Sequence, residues 1–480
     1  MISAQRLNDY ITLRNLAQKY PQYKLMVFEL NIGGERESFE NIETLSEYVS
    51  DILDNVGYGK YIVDLRRNFW RELDNKRTDK FKKDTRITTG SKGEGFSVTY
   101  ESDTDRLYVY KYAICRLPCD KKHDTKYFSE FILQQVSAGY YKLKLGAFST
   151  EVQPLHRIEK ALVDSNGEKF ISNKLYTTGL MSDAKSILSG PAASESYEYL
   201  SWDYVNAFRC TSQQNILLKW TLRDRPHGWP SQSLIQGIND QEAQMVPVGF
   251  KVSKEKDIEW RVCFVQGEQK LTDSWNEFQY KVYILLKQIK TCFFKPICDE
   301  ISSFILKNVT FWYVEQNSID KFSKQNLLTN VFACLAKLKD AIIQKHLPYY
   351  FISERNLLQE RVADPEQQQL TDQLDDLIEH PMQIFKCPKL QSALTVTRSE
   401  LAEKGRWRDN LEELYLKSAN IWRKDIPYDK EKEATRELME DICLYSVCDE
   451  IRDMVWPAWR EYHGKDRYEE LARRVMKELS

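Results

Sequence analysis

From Asn41 to Val56 the apolar residues Ile42, Leu45, Val49, Ile52 and Val56 fall three or four apart, which predicts one helix with a buried stripe. Gly57 and Gly59 break it. A second helix is predicted from about Lys60, striped by Ile62, Leu65, Phe69 and Leu73. The period then changes. Arg106 to Ile114 and Tyr141 to Leu145 read as strands, and Gln153 to Ile158 more faintly. Tyr199 to Phe208 alternates, with Asp203, Val205 and Ala207 on one face and Trp202 and Tyr204 on the other. Shorter strands are predicted at Leu25 to Leu30 (before a Gly33-Gly34 turn), Met245 to Phe250 and Glu259 to Val265. Leu180 to Leu188 is ambiguous, and Gly190-Pro191-Ala192-Ala193 reads as a loop. Ser231 is placed to cap a helix after Gly228-Trp229-Pro230.

From Trp275 the periodicity is helical: Trp275 to Phe294, Cys298 to Trp312, Lys324 to Lys345 and Pro365 to Ile378. A charged helical tail, Leu401 to Ser480, carries Trp407, Trp422, Trp456 and Trp459, indoles expected to dock on the core or on a partner. Strands crowd the first part and helices the second, which predicts an α+β, two-lobed fold. The expected division is an N-terminal segment 1–40, a sheet lobe with a long spine helix at 41–265, a helical lobe at 266–390 and a helical extension at 391–480.

Composition narrows the class. With 480 residues, 42% hydrophobic, the chain is globular and long enough for more than one core. A net charge of −2 gives no global case for nucleic acid, so that case must come from local patches. The 10 cysteines form no evident disulfide framework, which suits a cytoplasmic or nuclear setting. Neither a leader segment nor a membrane span is read in the sequence.

The chemistry concentrates between Thr88 and Ile114. Gly90-Ser91 is a small turn able to offer backbone N–H groups and a hydroxyl to phosphate oxygens, and Gly93 and Gly95 let the backbone approach a ligand. Asp103 and Asp105 follow at the mouth of a strand. At that spacing they share a face and sit roughly 6.6 Å apart along the backbone, within reach of a common divalent cation. Asp203 lies in an otherwise apolar strand, where a shared metal would supply the partner its burial requires. Arg66, Arg67, Arg71, Lys76, Arg77, Lys80, Lys82 and Lys83 precede the turn and read either as a solvated helix face or as a surface for nucleic-acid phosphates.

The order of motifs resembles the male-abnormal-21 domain family, and within it the cyclic GMP–AMP synthase-like receptors. The matching pieces are Thr89-Gly90-Ser91-x-x-Glu94-Gly95, Ser102-Asp103-Thr104-Asp105, Ser189-Gly190-Pro191-Ala192, Trp202-Asp203-Tyr204-Val205, Trp229-Pro230-Ser231, Glu259-Trp260-Arg261-Val262-x-Phe264 and Tyr350-Phe351-Ile352-x-x-x-Asn356-Leu357. The resemblance covers about residues 40 to 390. It implies a nucleotidyltransferase fold that senses double-stranded nucleic acid and joins two nucleoside triphosphates, such as ATP and GTP, into a cyclic dinucleotide for innate immunity. Carried over, Asp103, Asp105 and Asp203 are the ligands of Mg²⁺ or Mn²⁺. Thr89, Gly90 and Ser91 hold the triphosphate, Arg261 contacts a nucleobase, and Lys307 lines the nucleotide pocket.

Departures qualify the carry-over. The vertebrate DNA sensor has a zinc site of one His and three Cys after the Trp-Arg strand, whereas here only Cys292 and Cys298 fall in that region. No zinc is therefore expected, and RNA is favoured over DNA as activator. Lys337 stands where a base-stacking tyrosine is expected, which leaves the nucleotide pair open. Two other functions compete: a catalytically inactive scaffold of the same fold, and an enzyme that adds nucleotides to an RNA end or a protein.

Overall fold

The computed structural model describes residues 27–98, 103–153, 155–179, 187–189, 192–197 and 200–422. The chain folds as two compact units that interleave in sequence. One takes the chain through Gly59, then Gln214–Asp240 and Lys270–Glu403; the other takes Lys60–Gln213, Gln241–Gln269 and the chain from Lys404. The contiguous division expected at residues 265 and 390 is thus corrected. The predicted helix at Asn41 belongs with the helices that follow Lys270, because its stripe of Leu45, Val49 and Ile52 is buried in that unit, while residues 404–422 belong with the sheet.

The first unit opens with strands β1 (Phe28–Ile32) and β2 (Glu35–Phe39), antiparallel across the Gly33-Gly34 turn. Gly33 has φ +60°, and a Cβ there would lie 2.7 Å from the backbone nitrogen of Thr397, so the turn excludes a side chain twice over. Asn41 then caps helix Ile42–Leu53, its Oδ1 accepting from the amides of Glu43 and Thr44. The remainder is helical: Glu277–Ile289, Ser303–Glu315, Leu327–Ile343 and Asp364–Glu379. Ser231 caps Gln232–Asn239 as expected.

The second unit begins with the long helix Lys60–Lys80. Its strands are β3 (Asp84–Thr88), β4 (Thr104–Arg116), β5 (Ser129–Ser137), β6 (Tyr140–Ala147), β7 (Leu162–Ser165), β8 (Glu168–Ile171), β9 (Ile187–Ser189), β10 (Ala192–Tyr197), β11 (Leu200–Cys210), β12 (Ala243–Val246) and β13 (Glu259–Cys263). The first half of β4 lies between β3 and β11, and its second half pairs with β5. Since β5, β6, β13, β12 and β11 pair in turn, the sheet closes on itself around β4. Phe131, Phe208, Trp260 and Tyr176 fill the interior with ring centroids 5.0–5.6 Å apart.

Two further expectations are corrected. Gln153 to Ile158 gives no strand; its second half enters a short helix, His156–Lys160, because the buried positions Ile158 and Ala161 are three apart. Ala192-Ala193 is no loop but the start of β10, paired with Val205 and Tyr204. Residues 180–186, Gly190, Pro191 and Ser102 lie outside the described residues, as do Trp456 and Trp459 of the expected tail. Of the expected tail, the part up to residue 422 forms one helix, Arg398–Trp422, and residues 423–480 lie outside the described residues.

Candidate active site

β3 delivers the chain into the glycine turn, and β4 carries it away. Between them Gly90–Gly93 forms a single helical turn whose preceding residue, Thr89, is extended and donates its amide to the carbonyl of Asp105 (2.8 Å). Gly90 has φ +62°, and a Cβ at that position would lie 2.4 Å from Oδ2 of Asp105, so the turn and the acid meet in direct contact. A side chain at Gly93 would lie 2.2 Å from the carbonyl oxygen of Thr88, which also accepts from Nε2 of Gln269 (2.8 Å). Both glycines are therefore demanded by close backbone approach.

Asp105 and Asp203 are partners in the parallel β4–β11 register, so the two side chains stand on one face of neighbouring strands. Asp103 is exposed just before β4. Oδ1 of Asp203 accepts from the hydroxyl of Ser194 on β10 (2.6 Å). As the side chains stand, no three His, Cys, Asp or Glu groups among the described residues already enclose an ion position. The donor set nevertheless fits Mg²⁺ or Mn²⁺: three carboxylates at one end of one strand pair, all hard oxygen donors, with Asp105 against a glycine that adds no side chain of its own.

The long helix seats the turn at both ends. Asp74 accepts from the hydroxyl and the amide of Thr88, the residue before the turn. Burial, working against those hydrogen bonds, pushes its carboxyl up to about 6. At the other end Arg67 donates from Nε to the carbonyl of Glu94 (2.9 Å), and Arg66 from Nη1 to that of Gly95 (3.3 Å). Here the expected phosphate-contact surface needs correcting. Arg66 and Arg67 are 1% and 5% exposed, turned inward and spent on these contacts, so they present no charge to a ligand. Arg71, Lys80, Lys82 and Lys83 are exposed, and Lys76 and Arg77 partly so, with Lys76 paired to Glu72 at 2.7 Å.

Arg261 lies on β13, between Tyr140 of β6 and Val246 of β12. Lys307 belongs to the other unit, on helix Ser303–Glu315, where it is buried with its ammonium 5.8 Å from the Phe304 ring. Sequence reasoning passed over Lys92, Asp74 and Glu412. Lys92 is 3% exposed and donates to the hydroxyl of Thr104 (3.0 Å), the residue between the two acids of the strand mouth. A charged residue directly after a Gly-Ser pair carries no signal of burial by itself. Its flanking Gly93 is the one available hint, since a glycine there marks tight packing.

Residues 279–376, the helices from Glu277–Ile289 to Asp364–Glu379, match the Mab-21 protein HhH/H2TH-like domain. A cyclic GMP-AMP synthase-like receptor from Aethina tumida is 27% identical over 148 residues, which is 31% of this chain and 36% of that protein. The similarity thus spans about a third of the relative's own length.

Proposed function

For a chain that belongs to the Mab-21 and cyclic GMP-AMP synthase-like family, we propose a metal-dependent nucleotidyltransferase that joins two nucleoside triphosphates into a cyclic dinucleotide when double-stranded nucleic acid engages it. The observation that carries this reading is the parallel pairing of Asp105 with Asp203 beside Gly90. An inert scaffold has no need of two carboxylates side by side against a glycine that cannot accept a side chain.

Asp103, Asp105 and Asp203 would hold Mg²⁺ or Mn²⁺. When bound, such an ion offsets charge on the α-phosphate and lowers the pKa of the attacking ribose hydroxyl. The chain's own contribution is positional. Gly90 keeps the approach to Asp105 clear, and Ser91 supplies a hydroxyl at the turn. Lys92, buried behind the strand mouth, braces it through the hydroxyl of Thr104, between Asp103 and Asp105. Arg261 and Lys307 are assigned to the nucleobase and to the nucleotide pocket. Arg71, Lys76, Arg77, Lys80, Lys82 and Lys83 remain for the phosphates of a duplex, RNA in preference to DNA. Among the described residues no helix is long and apolar enough to cross a membrane.

The test is incubation with Mg²⁺ or Mn²⁺, four labelled triphosphates and a panel of duplex RNAs and DNAs, with products separated by chromatography. A cyclic dinucleotide formed only with duplex supports the reading. Extension of an RNA end or labelling of a protein would replace it with an acceptor-directed transferase. Nucleotide binding without any product would replace it with a scaffold.

A further inference from the structure

Arg66 is a buried guanidinium whose directed contacts include Glu412 and the carbonyl of Gly95. Glu412, on the helix Arg398–Trp422 and itself 0% exposed, takes two of them: Nε to Oε1 at 2.7 Å, and Nη2 to Oε2. The fork geometry of this pair fixes the guanidinium plane, which leaves Nη1 aimed at the carbonyl of Gly95. Gly95 cannot move toward the long helix to make other contacts. It has φ +75°, and a Cβ on it would lie 2.5 Å from the carbonyl oxygen of Val63.

The helix carrying Glu412 does not need that charge in order to dock. Leu416 packs with Phe69, Trp70 and Leu73 of the long helix, Leu411 is fully buried, and Tyr61 donates to Glu413 at 2.7 Å. A buried ion pair is a poor source of stability, since apolar residues of similar volume usually serve as well or better. What the Arg66–Glu412 pair adds is a donor held in a set direction at the exit of the glycine turn. We propose that Glu412 is a positioning residue for that turn: acting through Arg66, it fixes Gly95 and so the Gly90–Gly93 backbone beside Asp105. This rests on the reading of the turn as the triphosphate cradle. It makes the segment after residue 400 part of the nucleotide site without touching nucleotide.

The test is the full chain with Arg66→Met and Glu412→Leu together, compared with Glu412→Ala alone. The single variant strands a buried arginine and should melt earlier. The double variant restores an apolar fit, and its Tm should lie within about 3 °C of wild type. The amides of Gly93, Glu94, Gly95 and Phe96, all hydrogen-bonded within the turn, should nonetheless exchange about tenfold faster in the double variant, the loss of one hydrogen bond to a charged donor. Affinity for Mn²⁺-ATP should fall by about the same factor. Should the double variant not fold, Arg66→Lys keeps the charge but not the fork, and the same exchange measurement decides. Wild-type exchange at these four amides in the folded variant overturns the positioning role. If wild type binds no Mn²⁺-ATP, the nucleotide reading fails, and the exchange result still decides what Glu412 does.

Discussion

Asp203 sits beside Asp105 across two parallel strands, although β5 to β10 are threaded between them in sequence. Neither acid is placed by its neighbours in the chain. The pairing of β4 with β11 does it, and that pairing continues through Val205–Leu107 and Ala207–Val109 into apolar core. Asp105→Asn and Asp203→Asn should therefore leave the Tm nearly unchanged and lower nucleotide joining by about a hundredfold or more, the cost of removing charge that faces the transition state. Chromatographic turnover at the wild-type rate in either variant would end the assignment of these acids to a metal.

Gly90→Ala should lose nucleotide binding as well as turnover. The added methyl meets Asp105 Oδ2 at 2.4 Å in a backbone conformation that L-residues avoid. A stability loss of about 1–2 kcal/mol is expected from the conformation alone. Calorimetric titration with Mn²⁺-ATP and a thermal melt measure the two effects separately, and wild-type affinity would show that the acid simply rotates away.

The charged face of the long helix divides into inner and outer residues with opposite predicted behaviour. Arg71→Glu, Lys76→Glu and Lys80→Glu together should fold normally, weaken binding of duplex RNA steeply and lower the slope of log affinity against log salt. Arg66→Ala should instead destabilise the protein by about 3–5 kcal/mol, because Glu412 is left buried without its partner. Unchanged duplex binding in the triple variant would mean that this face is only solvated.

Asp74 predicts a pH effect. Its folded value of about 6 lies above the ordinary carboxylate value of 3.8, chiefly because of burial. The folded state therefore holds the proton more tightly than the unfolded chain. Stability on its account is full below about pH 4 and declines as pH rises through 4 to 6. Asp74→Asn should gain relative to wild type over that window, by on the order of 2 kcal/mol, while keeping one acceptor for Thr88. Urea unfolding at pH 4 and pH 7 checks this; a wild-type-to-variant difference that stays constant with pH contradicts it.

Much of this was legible in the sequence for physical reasons. The Ile42–Leu53 stripe, the strand alternation around Asp203 and the Gly-Ser turn before Asp103 are local patterns, and local patterns survive folding. The fates of Arg66 and Arg67 were not legible. On a helix wheel they continue the basic run, and it is partners distant in sequence, Glu412 and Gly95 for Arg66 and Glu94 for Arg67, that hold them inward. The same holds for β5 and β10, which owe their strand conformation to neighbours in the closed sheet more than to their own alternation.

The interleaving of the two units bears on how the protein can be dissected or recombined. The peptide passes from one unit to the other at Gly59, Gln213, Asp240, Gln269 and Glu403, so neither unit corresponds to a stretch of gene. A cut at residue 390, where the family resemblance fades, would remove Leu411, Glu412 and Leu416 from the sheet unit and expose Arg66 with the apolar face of the long helix. Loss of function on such a truncation would then report a damaged Gly90–Gly93 turn and not a missing regulatory appendage. Evolution faces the same constraint: in this chain the segment from Lys404 cannot be exchanged between relatives as an independent module unless Arg66 changes with it.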